Sequence, residues 1–374
     1  MDKTADKIVF TGGGTAGHVV PCIAVMELLR KEGYGVEYIG SFAGIERELV
    51  GAFGAPYHSV ATGKVRRYIS KDNLTDIFRV FKGVADAADI LRNISPAAVF
   101  SKGGYVSVPV VIAAKLLHIP VILHESDMTL GLANRVCAPL SSAVCVTFQA
   151  TLKRVKNGVF TGAPLRRELK YGVRSKGLAL CGFDEKKPVL LVMGGSLGSA
   201  RINSMLYEAL SEILINFQVI HIYGKGGAPP VAEPPPGYAP FEYVGGELPH
   251  LLAAADMAVS RAGSNSVCEL LFLKKPMLLI PLGKNVSRGD QILNAELFKS
   301  QGFAEVIYDE LLTPKALVSG IYGVYGRLGE YLSAIEPHSG QNGVARLAEV
   351  IKNVAQNGKY VKTAGSPPKR VYRV

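Results

Sequence analysis

At 374 residues the chain exceeds what one hydrophobic core usually organises, so two domains are expected. With 48% hydrophobic and 20% charged residues, 41 Gly and 21 Pro, it is neither disordered, collagenous nor built on disulfides. The net charge of +11 is uneven, +5 over residues 1–165, zero over 166–351 and +6 beyond, so an anionic partner is expected against the first half and the tail.

Nucleic acid is a poor fit to that charge, because no Arg-rich recognition helix and no aromatic stacking signature accompany it. An anionic membrane surface is the rival partner. The five cysteines (Cys22, Cys137, Cys145, Cys181, Cys268) lack C-x-x-C or zinc spacing and suit a reducing compartment. The charged start Met1 to Lys7 does not read as a secretory leader. The longest apolar run, Val106 to Leu117, is broken by Pro109 and Lys115, so no membrane span is expected.

Along the chain, Lys7 to Phe10 reads as a strand, Gly12-Gly13-Gly14-Thr15-Ala16-Gly17-His18 as a loop and Val19 to Lys31 as a helix, with Val36 to Gly40 the next strand. Basic Lys64 to Tyr68 precedes an amphipathic helix bearing Leu74, Ile77, Phe78, Phe81 and Val84, flanked by Arg79 and Lys82. That face suits either a core or an anionic bilayer, and the charge of the first half favours the bilayer. Strands follow at Ala97–Ser101, Val121–His124 and Ala143–Thr147, with helices at Val106–Leu117 and Gly131–Ala138.

The pattern restarts at residue 188. Pro188 to Met193 is a strand, Gly194-Gly195-Ser196-Leu197-Gly198-Ser199 a second Gly-rich loop and Ala200 to Ile215 a helix. Strands are predicted at Gln218–Tyr223, Phe241–Val244, Met257–Ser260, Met277–Pro281 and Ala304–Ile307, with Gly224 to Pro240 a surface loop. The fold class is therefore α/β, with two doubly wound Rossmann-like domains facing across a cleft. The boundaries are set at 1–163 for a first, membrane-associating domain and 164–340 for a second. A C-terminal helix over 341–358 and a basic, disordered tail over 359–374 complete the chain.

Gly-rich turns leaving parallel strands aim backbone N–H groups at one point, which suits a diphosphate. Two such loops, with Gly103-Gly104 after a third strand, suggest an anionic ligand; the alternative is that glycine merely permits tight turns. A dehydrogenase would carry an acid at the end of its second strand, and Tyr38-Ile39-Gly40-Ser41-Phe42 has none. In Ser260 to Glu269, Ser264, Asn265 and Ser266 open a helix and Glu269 follows; a capping box would account for part of this, and a carboxylate gripping a ribose diol for more. His18 begins a helix whose dipole favours its neutral, basic form, while Glu125 and Asp127 compete for the same role of general base. No D-x-D occurs, and no metal or cofactor is invoked.

Seven motifs occur in the order found in the MurG family of bacterial transferases, which the chain resembles over about residues 7 to 350. They are Gly12 to His18, Gly103-Gly104-Tyr105-Val106-Ser107, His124-Glu125, Gly162-Ala163-Pro164-Leu165-Arg166, Gly194 to Gly198, Arg261 to Ser264 with Glu269, and Gln291-Ile292-Leu293-Asn294. The resemblance implies a GT-B enzyme, peripheral on the cytoplasmic face of the membrane. Its reaction would be inverting transfer of N-acetylglucosamine from UDP-N-acetylglucosamine to lipid I, the undecaprenyl-diphosphoryl-muramoyl-pentapeptide, forming lipid II for peptidoglycan.

It further implies a sugar-side loop of Thr15, Ala16 and Gly17, and donor contacts from Arg166, Ser196 and Gln291. Val244 would hold uracil, Ser264, Asn265, Ser266, Val267 and Cys268 the diphosphate, Glu269 the ribose, and Asn294 would lie near the sugar. The family usually has Asn at the position of Asp127 and commonly Gly at that of Ala16. A carboxylate at Asp127 offers no hydrogen-bond donor to the sugar. Sugar transfer to diacylglycerol and non-catalytic nucleotide-sugar binding are the alternatives.

Overall fold

A computed structural model of the chain describes residues 6–63, 72–195, 198–229, 233–283 and 287–361, with the backbone alone for residues 72–77. The basic segment Lys64 to Tyr68, Ser196 and the tail beyond Val361 lie outside the described residues, as do the side chains of Leu74 and Ile77. The chain divides into two compact units, one running to Arg166 and resuming at Asn342, the other spanning Arg167–Gln341.

The first unit runs β1 (Lys7–Thr11), α1 (Ala16–Lys31), β2 (Gly35–Ser41), α2 (Ile45–Phe53), β3 (Tyr57–Val60), α3 (Asp72–Ile94), β4 (Ala98–Ser101), α4 (Ser107–Leu116), β5 (Val121–Glu125), α5 (Leu132–Cys137), β6 (Ala143–Val146) and β7 (Gly158–Phe160). All its strand pairs are parallel, in the order β3-β2-β1-β4-β5-β6-β7. Alternation in β1 sends Ile8 and Phe10 to one face and Val9 to the other. α1 and α2 cover the first face; α3, α4 and α5 cover the second. Near-continuous apolar strands are the signature of a sheet buried on both sides.

The second unit contains α6 (Arg174–Cys181), β8 (Val189–Met193), α7 (Ala200–Ile213), β9 (Gln218–Ile222), β10 (Tyr238–Phe241), α8 (Leu248–Ala254), β11 (Met257–Ser260), α9 (Ser264–Phe272), β12 (Met277–Leu279), α10 (Asp290–Ser300), β13 (Ala304–Val306), α11 (Pro314–Gly326) and α12 (Leu328–Ile335). Its strands, again all parallel, run β10-β9-β8-β11-β12-β13. The strand expected over Phe241–Val244 lies three residues earlier, at Tyr238–Phe241. Pro240 had marked the segment as loop, but β10 is an edge strand, where a missing N–H costs no ladder bond. The correction leaves Val244 in the turn beyond the strand's carboxyl end.

The last helix, α13 (Val344–Asn357), returns to the first unit. Leu347, Ala348, Val350, Ile351 and Val354 recur at helical spacing and are buried with Val25 and Met26 of α1. Asn342 anchors the return: its Oδ1 accepts from Leu165 N at 3.1 Å and its Nδ2 donates to Leu165 O at 2.9 Å. Gly343 N donates to Ala163 O at 2.8 Å. Ile351, fully buried, tests this packing: Ile351→Ala should destabilise the first unit by about 2–5 kcal/mol, read as a lowered denaturant midpoint.

Candidate active site

In each sheet the strand order reverses once, between β1 and β4 and between β8 and β11. Loops leaving the carboxyl ends of those strands part in opposite directions and open a crevice, the usual ligand position in such sheets. Both Gly-rich loops stand there, as do Lys102–Tyr105 after β4 and Arg261–Gly263 after β11.

In the first unit Thr15 is the N-cap of α1, and Ala16, Gly17 and His18 form its first turn. The Thr15 hydroxyl does not cap the helix; it pairs instead with His18 Nδ1 at 3.0 Å. When Nδ1–H donates to that hydroxyl, the basic lone pair is on Nε2. Gly104 is required by the backbone itself: its φ is +85°, and a Cβ there would fall 2.4 Å from Gly13 O. Lys102, almost fully buried, donates from Nζ to Ser126 Oγ, tying the β4 loop to the turn that carries Asp127.

Glu125, at the end of β5, is buried, and both of its oxygens accept local donors. Oε1 takes Asp127 N at 3.0 Å, while Oε2 takes Gly131 N at 2.8 Å and Asn134 Nδ2 at 2.9 Å. Burial pushes its carboxyl above the usual range, and those three donors oppose the rise. The geometry is that of a clasp around the turn before α5. Asp127 is half-buried, with its backbone held by Glu125. His124 is buried and pairs through Nε2 with Gly162 O at 3.2 Å; burial holds its pKa well below the ordinary value. Arg166, half-buried, follows the Leu165 backbone that Asn342 grips.

In the second unit the N-cap of α9 is Gly263, not one of the polar trio, so no capping box accounts for them. Ser264, Asn265 and Ser266 are the first three helical residues, and Glu269 lies in the second turn, half-buried rather than buried. Gly263 has an ordinary φ of −66°, and a Cβ on it would meet nothing within 4 Å. Open space therefore lies before an N-terminus whose amides point outward, an arrangement that favours an anion. Val267 and Cys268 are buried behind it. Asn294 of α10, fully buried, donates from Nδ2 to Ala262 O at 3.1 Å, and Gln291 Oε1 accepts from Leu282 N at 3.0 Å. Both side chains thus shape loops beside the α9 terminus.

The glycosyltransferase family 28 N-terminal domain matches residues 8–146, and the family 28 C-terminal domain matches residues 189–359. The chain belongs to glycosyltransferase family 28. It is 48% identical over 350 residues to the UDP-N-acetylglucosamine--N-acetylmuramyl-(pentapeptide) pyrophosphoryl-undecaprenol N-acetylglucosamine transferase of Lachnoclostridium phytofermentans, covering 93% of this chain and 99% of that protein. The enzyme of the same name from Clostridium botulinum (strain Langeland) is 49% identical over 348 residues, with 92% and 98% covered. Among solved structures, Acinetobacter baumannii MurG aligns with a TM-score of 0.73 at 22% identity, covering 93% of this chain and 99% of that one. The calicheamicin glycosyltransferase CalG4 aligns at 0.67 and 16%, covering 93% and 98%. The two-sheet architecture is the GT-B fold.

Several residues that shape this family 28 site escape a reading of the sequence. Arg261, read only as part of a motif, is buried and donates to Ser199 Oγ at 2.8 Å, Ile280 O at 3.1 Å and Asp309 Oδ1. It thereby ties the second Gly-rich loop to the α9 loop. Its place within the motif was the only signal.

A second network fixes the chain beyond β9. Asn203 Nδ2 donates to Tyr223 O at 3.0 Å, which turns Oδ1 toward His221 Nε2 at 3.1 Å. That acceptor requires the Nε2–H tautomer, so Tyr238 OH donates to Nδ1 at 2.9 Å. Burial lowers the His221 pKa to about 4, below its unfolded value near 6.5. The unfolded chain therefore binds the proton first, and this part of the stability is complete above about pH 6.5 and lost as pH falls toward 4. The loss is on the order of 3 kcal/mol for the full shift, read from denaturant midpoints across that window, and His221→Gln should flatten the dependence.

Proposed function

We propose that the chain transfers N-acetylglucosamine from UDP-N-acetylglucosamine to the C4 hydroxyl of the muramoyl sugar of lipid I, forming lipid II with inversion at the anomeric carbon. One observation carries the reading: 48% identity over 93% of the chain to an enzyme bearing that activity in its name. The second unit takes the donor. The α9 N-terminus, with Ser264, Asn265, Ser266, Val267 and Cys268, receives the diphosphate where charge grows as the glycosidic bond breaks. Glu269 accepts from the ribose hydroxyls, Val244 meets uracil through its backbone, and Ser196, Arg166, Gln291 and Asn294 serve the donor and its sugar.

In the first unit His18 is the general base. Thr15 orients its ring so that Nε2 can take the C4 hydroxyl proton as that oxygen attacks C1 and UDP departs. Glu125 is the weaker candidate because its oxygens already accept three local donors. Asp127 is carried as the alternative base.

Among the described residues no helix is long and apolar enough to cross a membrane. Peripheral contact is the reading for α3, where Phe78 and Phe81, three residues apart, are each 68% exposed beside Arg79 and Lys82. An exposed aromatic pair beside two cations suits an anionic bilayer, where the polyprenyl tail of the acceptor resides.

Transfer of radiolabelled sugar to lipid I tests the activity; transfer to diacylglycerol alone would overturn it. His18→Ala should lower kcat by roughly 10²–10⁴-fold with little change in KM for UDP-N-acetylglucosamine. Turnover that survives this change but is lost in Asp127→Asn moves the base to Asp127. The double substitution of Phe78 and Phe81 by Ser should weaken binding to anionic vesicles by at least about tenfold, measured by co-sedimentation.

A further inference from the structure

We infer that Glu46 is a positioning residue whose buried carboxylate makes the Gly12–His18 loop a mount for the general base. The inference rests on the assignment of His18 as base. Glu46 is the second helical residue of α2 and is fully buried. Its Oε1 accepts from Ser41 N at 3.2 Å and Ser41 Oγ at 2.5 Å, at the end of β2. Its Oε2 accepts from Gly14 N at 3.4 Å, in the middle of the loop after β1. One side chain thus joins the end of β2 to the loop that leaves the neighbouring strand β1.

The surrounding chain is cut to admit this carboxylate. Gly44 has an unremarkable φ of −86°, yet a Cβ there would lie 2.2 Å from both carboxylate oxygens of Glu46. Gly13 is the second case: its Cβ would fall 2.8 Å from Glu46 Oε1 and 2.9 Å from Val106 Cγ2. The middle glycine of the Gly12-Gly13-Gly14 run therefore answers to a carboxylate and a valine inside the protein. Burial raises the phenols of Tyr57 and Tyr105, and the nearby Glu46 carboxylate raises both further.

The Glu46 carboxylate turns the Gly14 N–H inward, so that this donor serves the fold and not a ligand in front of the loop. What it does favour is a fixed path for the chain. Gly14, at φ +86°, leads into Thr15, whose hydroxyl holds His18 Nδ1. Misplacing a reacting group by about 1 Å can cost 10²-fold in rate, so a clamp one residue upstream of the base-orienting hydroxyl acts on catalysis without touching substrate.

Glu46→Gln is the informative change. It keeps the volume and an acceptor for Ser41, but turns an amide N–H₂ toward Gly14 N–H. The variant should retain the wild-type KM for UDP-N-acetylglucosamine and lose about tenfold or more in kcat. Combined with His18→Ala, it should add little further loss, since a clamp acting through the base has nothing left to position. Losses that multiply in the double variant, or a wild-type kcat in Glu46→Gln, overturn the inference. Near-normal turnover in His18→Ala alone overturns the base assignment instead. Should Glu46→Gln fail to fold, Ser41→Ala, which removes the shortest donor to the same carboxylate, reads the same coupling: a fall in kcat that disappears in the His18→Ala background supports the inference, and an unchanged kcat overturns it.

Discussion

The constraint on which the molecule depends is that every strand in both sheets runs parallel to its neighbours. A parallel strand cannot be reached by a tight turn, so each connection crosses a face, and helices must bury both sides of the sheet. Adjacent loops then diverge only where strand order reverses. The residues with chemical potential gather there: His18 after β1 and Lys102 after β4 in one unit, Ser199 after β8 and the α9 terminus after β11 in the other. Catalytic possibility is here a by-product of handedness and sheet order.

At those places polar groups serve two different ends. Glu46, Glu125 and Arg261 are buried and turned toward backbone and side chains of the protein itself. They replace the ladder hydrogen bonds that loops lack, and a buried charge is tolerable only when so satisfied. His18, Asn265 and Ser266 are less enclosed, and Gly263 faces open space. The division between inward-facing clasps and outward-facing groups separates scaffold from working surface more sharply than residue type does.

Local pattern carried most of the architecture. Apolar β-branched runs marked β1, β8 and β11, and the Gly-rich turns after β1 and β8 exposed the repeated unit. Pattern failed where the deciding partner was distant or the element short. β3 has four residues and little alternation, and β10 was disguised by Pro240, harmless only because of its edge position. Whether any of the α9 trio caps the helix depended on backbone angles that composition does not reveal; the cap is Gly263. The end of β2 lacked an acid in sequence, yet Glu46 reaches Ser41 from the following helix. Of the candidate site, the sequence singled out His18, Ser264 and Glu269 as candidates, whereas the contacts of Glu46, Arg261 and Asn203 required the fold that brings their partners together.

The return of α13 to the first unit has a consequence for biosynthesis. Residues 167–341 form a continuous stretch and can close their own interior as soon as they leave the ribosome. The amino-terminal sheet, although made first, exposes the apolar groove against Val25 and Met26 until Leu347, Ile351 and Val354 emerge. The order of synthesis and the order of completion are therefore reversed, and a nascent chain stalled before residue 344 would present a finished rear half and an unfinished front, a natural target for chaperones.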